Sequence, residues 1–424
     1  MWRIAAMLLA TAASVAAQQP AVLTLPEAEA LAIKNHPDVS AALLRAAAAN
    51  QITIETRSAA LPTLYGSVTG AGALANSRIA AGNLNNPVIY NRFASGITMG
   101  QLITDFGRTS NLTESSRLRA QAQQDDAQAT RADIVLQVDR AYYSALRSQT
   151  VAVVAEQTVA ARQTVADQVS ALARSNLKSG LDESFANVNL AESKLLLINA
   201  RNEVKAAFAD LSIAVGYRDW RTFQLSDPAA PGALPADPTP LVNQAIQNRP
   251  ELAALRAEYN GALKFAQAER ALQYPSVSAL ASVGVIPGHE ETLHGRYGAA
   301  GINMNIPVFN GRLFSARRTE AELRAQAAEQ TLRGRENRVA RDVQVAWLNA
   351  STAFERLAVT AELLTEATMA LDLAQTRYDL GLSSIVELTQ AQLNKTSAEI
   401  ASAGAKYEYG LQSVVLAYQD GTVR

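Results

Sequence analysis

The chain is an internal duplication in which four motifs of the first half return in the second half. Asn35-His36-Pro37-Asp38 matches Asn248-Arg249-Pro250-Glu251 and Leu61-Pro62-Thr63-Leu64 matches Tyr274-Pro275-Ser276-Val277 at a spacing of 213; Asp105-Phe106-Gly107-Arg108 matches Phe309-Asn310-Gly311-Arg312 at 204, and Lys178-Ser179-Gly180-Leu181 matches Asp379-Leu380-Gly381-Leu382 at 201. Such a repeat is a duplicated half-molecule and not a short solenoid unit. Each half is therefore predicted to contribute equivalent elements to one shared architecture.

Composition and charge narrow the class of protein. Of the 424 residues, 48% are hydrophobic and 18% are charged, which is enough apolar surface for a sizeable core. The net charge of −1 argues against a nucleic-acid partner. The chain has no cysteine, which excludes disulfides, thiolate metal sites, a cysteine nucleophile and an acylated N-terminal cysteine.

The first 17 residues resemble a secretory signal peptide. Arg3 supplies a positive charge, residues 4–13 are an apolar stretch too short to span a bilayer, and residues 14–17 are small, as signal peptidase requires. Cleavage is predicted after Ala17. No later run reaches about 18 consecutive apolar residues, so no transmembrane helix is predicted. The mature protein is expected to be exported, either soluble in the periplasm or held in the outer membrane by strands.

Proline placement predicts where long helices run. None of the 14 prolines lies within 88–227 or 308–424, and five crowd into 228–240. Interior proline breaks helices, so the proline-free stretches favour long helices and the crowded segment favours a linker. The predicted first repeat spans 18–216, with a helix, a β-hairpin at 62–105, a long helix at 108–177 and a return helix at 183–216. The linker is 217–240, and the second repeat spans 241–424, with a helix, a hairpin at 275–307 and helices at 311–379 and 384–419.

A heptad pattern runs along the second long helix. Apolar or small residues recur at alternating steps of four and three from Val339 to Tyr378, and a smaller-residue version runs from Val138 to Val159. This pattern is typical of a left-handed coiled coil. Gly180 and Gly381 suit the left-handed position that ends a helix. Each long helix is therefore predicted to double back as a helical hairpin.

The two β-hairpins carry a period-two pattern. Val277, Ala279, Ala281, Val283 and Val285 alternate with small or polar residues and one leucine, as in strands of a membrane-crossing sheet. Four such strands leave a sheet open in lipid, so one chain is insufficient; two copies would give eight strands and three would give twelve. Residues 76–91 and 287–295 are predicted loops. The predicted interfacial aromatics are Tyr90, Phe93, Tyr274 and Tyr297.

In order, and twice, these motifs resemble the TolC family of outer-membrane efflux and secretion channels. The resemblance covers nearly all of the mature chain, including Arg377-Tyr378-x-x-Gly381-Leu382-x-Ser384 at the second helical tip. It implies a mainly α fold with a minor membrane β part, in which long coiled-coil hairpins and four transmembrane strands per chain assemble as a homotrimeric α-barrel and β-barrel. It also implies outer-membrane lipid around the strands, a large periplasmic part, a docked periplasmic adaptor protein and an inner-membrane pump.

The same resemblance implies two sets of site residues. The family's periplasmic gate uses acidic residues after the second tip, where Glu387 stands, but Gln390 replaces the second common acid. Glu387 also fits a capping box opened by Ser384. At the first tip, Asp182 and Glu183 are expected to act as a cap and as solvated surface. The expected adaptor-docking residues are Gly180, Leu181, Gly381, Leu382 and Ser384.

No enzymatic chemistry or cofactor is predicted. His289 and His294 flank two glutamates, but their spacing of five and their predicted loop argue against a shared zinc-binding helix face. The preferred interpretation is a passive outer-membrane exit duct of a tripartite efflux pump or type I secretion system, opened by adaptor docking. The alternative is a periplasmic coiled-coil scaffold or adaptor without a membrane barrel. The sequence does not identify the cargo.

Overall fold

The computed structural model describes residues 22–74, 77, 89–289, 291 and 294–422. The predicted signal segment 1–17 and most of the predicted loop 76–91 lie outside the described residues. The described chain is predominantly helical and contains one four-stranded sheet and one two-stranded sheet. The prediction of a mainly α protein with a minor β part is confirmed.

Each half of the chain follows the same order of elements. The first half contains β1 (Val22–Leu23), α1 (Leu25–Asn35), α2 (Pro37–Ser58), β2 (Thr63–Ala71), β3 (Arg92–Thr104), α3 (Arg108–Arg174) and α4 (Gly180–Ala214). The second half contains β4 (Gln224–Leu225), α5 (Thr239–Asn248), α6 (Pro250–Ala271), β5 (Ser276–His289), β6 (Arg296–Asn305), α7 (Leu313–Asp379) and α8 (Ile385–Gln419). The helix before each hairpin is split in two, because Pro37 and Pro250 each begin a new helix, a position where proline lacks no needed N–H.

The helices of the two halves match in length. Both α2 and α6 have 22 residues, α3 and α7 have 67, and α4 and α8 have 35. The offset is 213 for α2 and α6 but 205 for α3 and α7 and for α4 and α8. The predicted motif spacings of 204 and 201 are therefore wrong. They aligned glycines with glycines, whereas the structural equivalence follows the backbone positions that end and begin the helices.

The heptad seam of α7 is buried as the pattern predicts. Val339, Val343 and Ala350 are fully buried, and every other seam residue down to Tyr378 is buried or half-buried. On α3, the seam from Val138 to Val159 is likewise buried or half-buried. Alanine at many of these positions lets helix backbones approach closely.

The described residues form two compact units, and each unit takes segments from both repeats. The first unit comprises 22–37, 133–236 and 346–418, and the second comprises the described parts of 38–132, 237–345 and 419–422. The long helices α3 and α7 contribute to both units.

In the first unit, side chains of three helices hold the proline-rich segment. The Tyr142 hydroxyl of α3 is placed 2.7 Å from the carbonyl oxygen of Ser226 and 2.8 Å from that of Leu23. Trp347 of α7 donates to the Pro235 carbonyl at 2.9 Å, and Tyr409 of α8 donates to the Gly232 carbonyl at 2.6 Å. The segment also contains β4, which pairs in parallel with β1. Two-residue strands carry no readable period, so the sequence did not predict this pair.

In the second unit, the sheet has the strand order β2-β3-β5-β6, and all neighbours are antiparallel. Buried polar contacts fix the helices at the base of the sheet. The Ser115 hydroxyl of α3 donates to the Gly261 carbonyl of α6 at 2.7 Å, and Glu269, only 2% exposed, pairs with Arg317 of α7 at 2.7 Å.

Candidate functional site

The register of the sheet separates its two faces by chemistry. Directly paired residues of antiparallel strands share a face, so the paired rows can be followed across all four strands. One face carries Leu64, Val68, Ile97, Met99, Val277, Ala279, Ala281, Val283, Ile302 and Met304. The other carries Tyr65, Ser67, Thr69, Thr98, Ser278, Ser282, Asn303 and Asn305. The apolar face is exposed in the single chain, with Val68 at 70% and Ile302 at 73% exposure. An exposed apolar face that extends across a whole sheet requires an apolar environment.

Two bulges explain the mixed pattern of residues 92–104. The register between β3 and β5 shifts between Phe93 and Ser95 and again between Leu102 and Thr104. Each shift inserts one extra residue and flips the strand parity there. The first bulge also places Pro287 inside β5, so the strand continues to His289. The prediction that the loop begins at residue 287 is wrong for this reason, since proline is tolerated in a strand at a bulge.

Tyr297 occupies the polar face of the sheet. It is paired with Gly284, which is paired with Gly96, and the Tyr297 ring fills the space that a Cβ atom would need at both glycines. An aromatic ring packed over strand glycines compensates for their missing side chains. Of the predicted interfacial aromatics, Tyr274 instead lies against Phe106, with ring centroids 5.7 Å apart.

The second helical tip closes with a Schellman motif. Gly381 has a φ of 72°, the Leu382 N–H donates to the Arg377 carbonyl at 2.8 Å, and the Gly381 N–H donates to the Tyr378 carbonyl at 3.0 Å. These are the two bonds of the motif, and glycine suits its left-handed position. The predicted left-handed role of Gly381 is confirmed.

The first tip closes with the same motif on a different residue. Asn176 has a φ of 57°, and the N–H groups of Asn176 and Leu177 bond to the carbonyls of Ala173 and Leu172. Gly180 begins α4 and has no positive φ, so its predicted left-handed role is wrong. Asparagine tolerates the left-handed region, which lets the turn close four residues earlier than the glycine suggests.

The caps of the return helices also differ. At the first tip, Ser179 and Asp182 form a complete capping box, as expected of a cap at Asp182. At the second tip, the Glu387 N–H bonds to the Ser384 hydroxyl at 3.4 Å, but the Glu387 carboxylate pairs with Arg377 at 3.2 Å. Only half of the predicted capping box at Ser384 therefore forms. Glu183 accepts a hydrogen bond from Ser170 at 2.8 Å.

The tip of the first unit has a small apolar core beneath these turns. Tyr378, Ile385 and Leu388 pack there with residues of α3 and α4. Burial, and secondarily the charges of Asp182 and Asp379, raise the pKa of Tyr378. Lys178 lies over the Tyr378 ring at 4.2 Å from its centroid. Sequence reasoning missed the contacts of Arg377 and Lys178, since nothing in a linear motif shows which partner a long cation reaches.

The remaining predicted site residues are solvent-facing in this chain. Gln390 donates to Asn394 at 2.9 Å, one turn along α8. Leu181 is 66% exposed and Leu382 is 68% exposed, and Gly180, Gly381 and Ser384 are exposed with them. Two exposed leucines beside exposed glycines give each tip an apolar spot with little steric cover.

Two searches of the described residues bear on other functions. None of the helices that the structure describes is long and apolar enough to cross a membrane. Within the described ranges, no group of three or more histidines and carboxylates could hold a metal ion. Glu290, between the two histidines of the zinc-like motif, lies outside the described residues.

Comparison with known proteins identifies relatives over most of the chain. The family model described as outer membrane efflux protein matches residues 30–217 and 241–421, the two repeats without the linker. The alkaline protease secretion protein AprF of Pseudomonas aeruginosa is 25% identical over 407 residues, 89% of this chain and 80% of AprF. The outer membrane efflux protein BepC of Brucella suis is 23% identical over 336 residues, 76% of this chain and 70% of BepC.

Solved structures share the fold. The outer-membrane channel OprN superposes with a TM-score of 0.81 at 20% identity, covering 94% of this chain and 89% of OprN. The MtrE outer membrane channel of Neisseria gonorrhoeae superposes with a TM-score of 0.79 at 18% identity, covering 94% of this chain and 88% of MtrE. These matches support a duct and not the alternative of a scaffold without a membrane part. The chain belongs to the outer membrane efflux protein family, a family of channels, and it is an outer-membrane duct for efflux or secretion with a large periplasmic helical part.

Proposed function

We propose that three copies of this chain form one exit duct, in which the β2 edge of each copy pairs with the β6 edge of the next. The observation that carries this proposal is the continuous apolar face across all four strands, opposite a face of serine, threonine and asparagine. β2 and β6 are the two ends of the described sheet. In lipid, each unpaired backbone group costs several kcal/mol, so the edges must find partners. Twelve strands leave a lumen, whereas side chains nearly fill a barrel of eight.

The internal repeat specifies the register of that pairing. The registers of β2 with β3 and of β5 with β6 relate β2 to β5 by 213 residues and β3 to β6 by 205. Met99 of β3 pairs with Ala281 of β5. Adding 205 to the first and subtracting 213 from the second gives Met304 and Val68. If the joint between copies copies the joint between repeats, Met304 of one copy lies opposite Val68 of the next, on the apolar face.

Engineered cysteines test both the assembly and the register. The chain has no cysteine, so Val68→Cys with Met304→Cys introduces the only two thiols. Directly opposite residues of antiparallel strands lie about 4.5–5.5 Å apart, within disulfide reach. Oxidation of the double variant in outer membranes should yield covalent dimers and trimers on a denaturing gel. The matched control, Val68→Cys with Ala300→Cys, displaces one thiol by four residues, about 13 Å, and should not cross-link. Monomers alone from the first pair, and from pairs one or two residues to either side, would refute the proposal.

The helical tips are the proposed periplasmic entrance. Glu387, Gln390, Asp182 and Glu183 are proposed to line it, with Glu387 paired to Arg377 as a neutralised acid. The support is the 3.2 Å ion pair between half-exposed side chains, and the presence of Gln390 where relatives of the resembled family carry a second acid. An entrance with one neutralised acid per copy should bind cations weakly. Planar-bilayer recordings with added divalent cations test this: little block is expected, and strong block that Glu387→Gln relieves would contradict it.

The proposed docking surface for a periplasmic adaptor comprises Gly180, Leu181, Gly381, Leu382 and Ser384. Outer-membrane channels of this family work with adaptor and inner-membrane pump components. The exposed Leu181 and Leu382 supply apolar contact, and the neighbouring glycines leave room for a partner helix. Leu382→Asp should weaken co-purification of the adaptor and leave outer-membrane assembly intact, whereas Leu348→Asp, at another exposed leucine of the first unit, is the control. Equal loss of adaptor binding in both variants would argue against a docking role for the tip.

A further inference from the structure

A pair of carboxyl groups joins the N-terminal helix to the long helix α3 inside the first unit. Asp139 of α3 is only 2% exposed, and its side chain hydrogen-bonds that of Glu29 on α1, which is half-buried. Within the described part of the chain, no N–H or O–H donor reaches the sealed Oδ1 atom of Asp139. Two ionised carboxylates cannot hydrogen-bond each other, so this contact needs a proton on one of them.

The surroundings supply no competing cation. The titratable groups around the pair come from α1, α3, α8 and the segment after β4: they are Glu27, Tyr142, Tyr143, Lys406 and Asp227. Lys406 forms an ion pair with Asp227, and the Tyr142 hydroxyl lies between the carbonyls of Leu23 and Ser226. The neighbouring charge that acts on Asp139 is therefore the negative charge of Glu29.

We infer that Glu29 and Asp139 form a proton-dependent fastener that holds α1 against α3, firm in acid and progressively weaker as the medium becomes alkaline. The periplasmic part of an outer-membrane protein has no membrane-protected cytoplasm around it, so the pair is exposed to the pH of its surroundings. The inference does not depend on the number of copies in the duct or on what the duct carries.

The titration behaviour supports this fastener. Burial first, and then the charge of Glu29 and the hydrogen bond to it, raise the pKa of Asp139 to about 8. Burial also raises the pKa of Glu29, while its hydrogen bond to Asp139 lowers it. When α1 detaches, Asp139 becomes solvated and its pKa returns toward its usual value of about 4. The attached state therefore retains a proton that the detached state releases, and detachment becomes easier as pH rises between those two values, then levels off above about 8.

Hydrogen exchange of α1 measures the fastener directly. After correction for intrinsic exchange rates, protection of residues 25–35 in the purified full chain should fall by up to roughly tenfold per pH unit between pH 5 and 8, and then stay constant. Asp139→Asn keeps the shape and hydrogen-bonding capacity but cannot ionise, so its protection should be independent of pH. Asp167→Asn, at an exposed carboxylate of the same helix, is the matched control and should behave as the native chain.

Two results would overturn the inference. One is protection of α1 in the native chain that does not change with pH over this range. The other is the same pH slope in Asp139→Asn as in the native chain. If Asp139→Asn does not fold, Glu29→Gln replaces it, because removing either ionisable group should abolish the slope.

Discussion

Two glycines at the helical tips should respond with opposite sign to the same substitution. Gly381 has a φ of 72°, where an alanine Cβ meets no neighbouring atom but the backbone itself is unfavourable. The left-handed conformation costs an L-residue about 1–2 kcal/mol, and the reduced freedom of the unfolded chain offsets about 0.5–1. Gly381→Ala should therefore destabilise the turn by roughly 1 kcal/mol. Gly180 has a helical backbone and open space around its Cβ position, so Gly180→Ala should stabilise the start of α4 by about 0.5 kcal/mol.

Hydrogen exchange at the two turns gives the assay. The Leu382 N–H donates to Arg377 and the Leu177 N–H donates to Leu172, so each reports on its own turn. A loss of about 1 kcal/mol lowers protection roughly fivefold, since 1.36 kcal/mol is tenfold. Peptides over the second tip should show that loss in Gly381→Ala, and peptides over the first tip should show equal or greater protection in Gly180→Ala. If both variants lose protection by the same factor, the assignment of the left-handed position to Asn176 at the first tip is refuted.

Three further predictions follow from single contacts. Gly381→Pro removes the N–H that bonds to Tyr378 and fixes φ near −65°, so it should abolish export while the protein still reaches the outer membrane; unchanged drug resistance in a strain dependent on this chain would contradict it. Gly284→Ala sets a methyl group against the Ser95 carbonyl and the Tyr297 ring and should lower sheet stability by about 1–3 kcal/mol, measured as the temperature at which assembled protein dissociates on a gel; Gly301→Ala, with open space at its Cβ, is the control, and equal shifts would refute the packing argument. Arg377→Gln breaks a half-exposed ion pair with Glu387, so a double-mutant cycle on unfolding should give a coupling below about 1 kcal/mol, and a larger value would show that the pair is more buried in the working assembly.

The sequence predicted the elements that repeat a period and failed at those that depend on a single residue. The seam from Val339 to Tyr378 was readable because twelve positions at heptad spacing are each buried or half-buried in the fold. The strand faces were readable in β5 and β6 for the same reason. In β3 the two bulges shift parity, and a bulge leaves no sign in a linear alternation.

Turn and cap chemistry was less predictable from residue types. Glycine indicated the left-handed position correctly at Gly381 and wrongly at Gly180, because Asn176 also tolerates it. The Ser384 box predicted two reciprocal bonds, but Arg377 offers the Glu387 carboxylate an opposite charge and takes it. Asp139 occupies a position that a charge normally avoids, and only the tertiary contact with Glu29 explains why it is tolerated there.

The constancy of the 205-residue offset has a physical cause. It holds from the start of α3 to the end of α8, whereas the offset before the hairpins is 213, so the eight-residue difference lies in the hairpins. A seam at heptad spacing loses its buried positions if one residue is inserted, because every later side chain turns by about 100°. A hairpin connection carries no such register and tolerates added length. Even the turns of the tips keep their length, since Asn176 and Gly381 differ in type but occupy equivalent positions. The rods therefore fix the equivalence of the two halves, and we expect single-residue insertions within α3 or α7 to be far more damaging to folding than insertions of several residues near position 74.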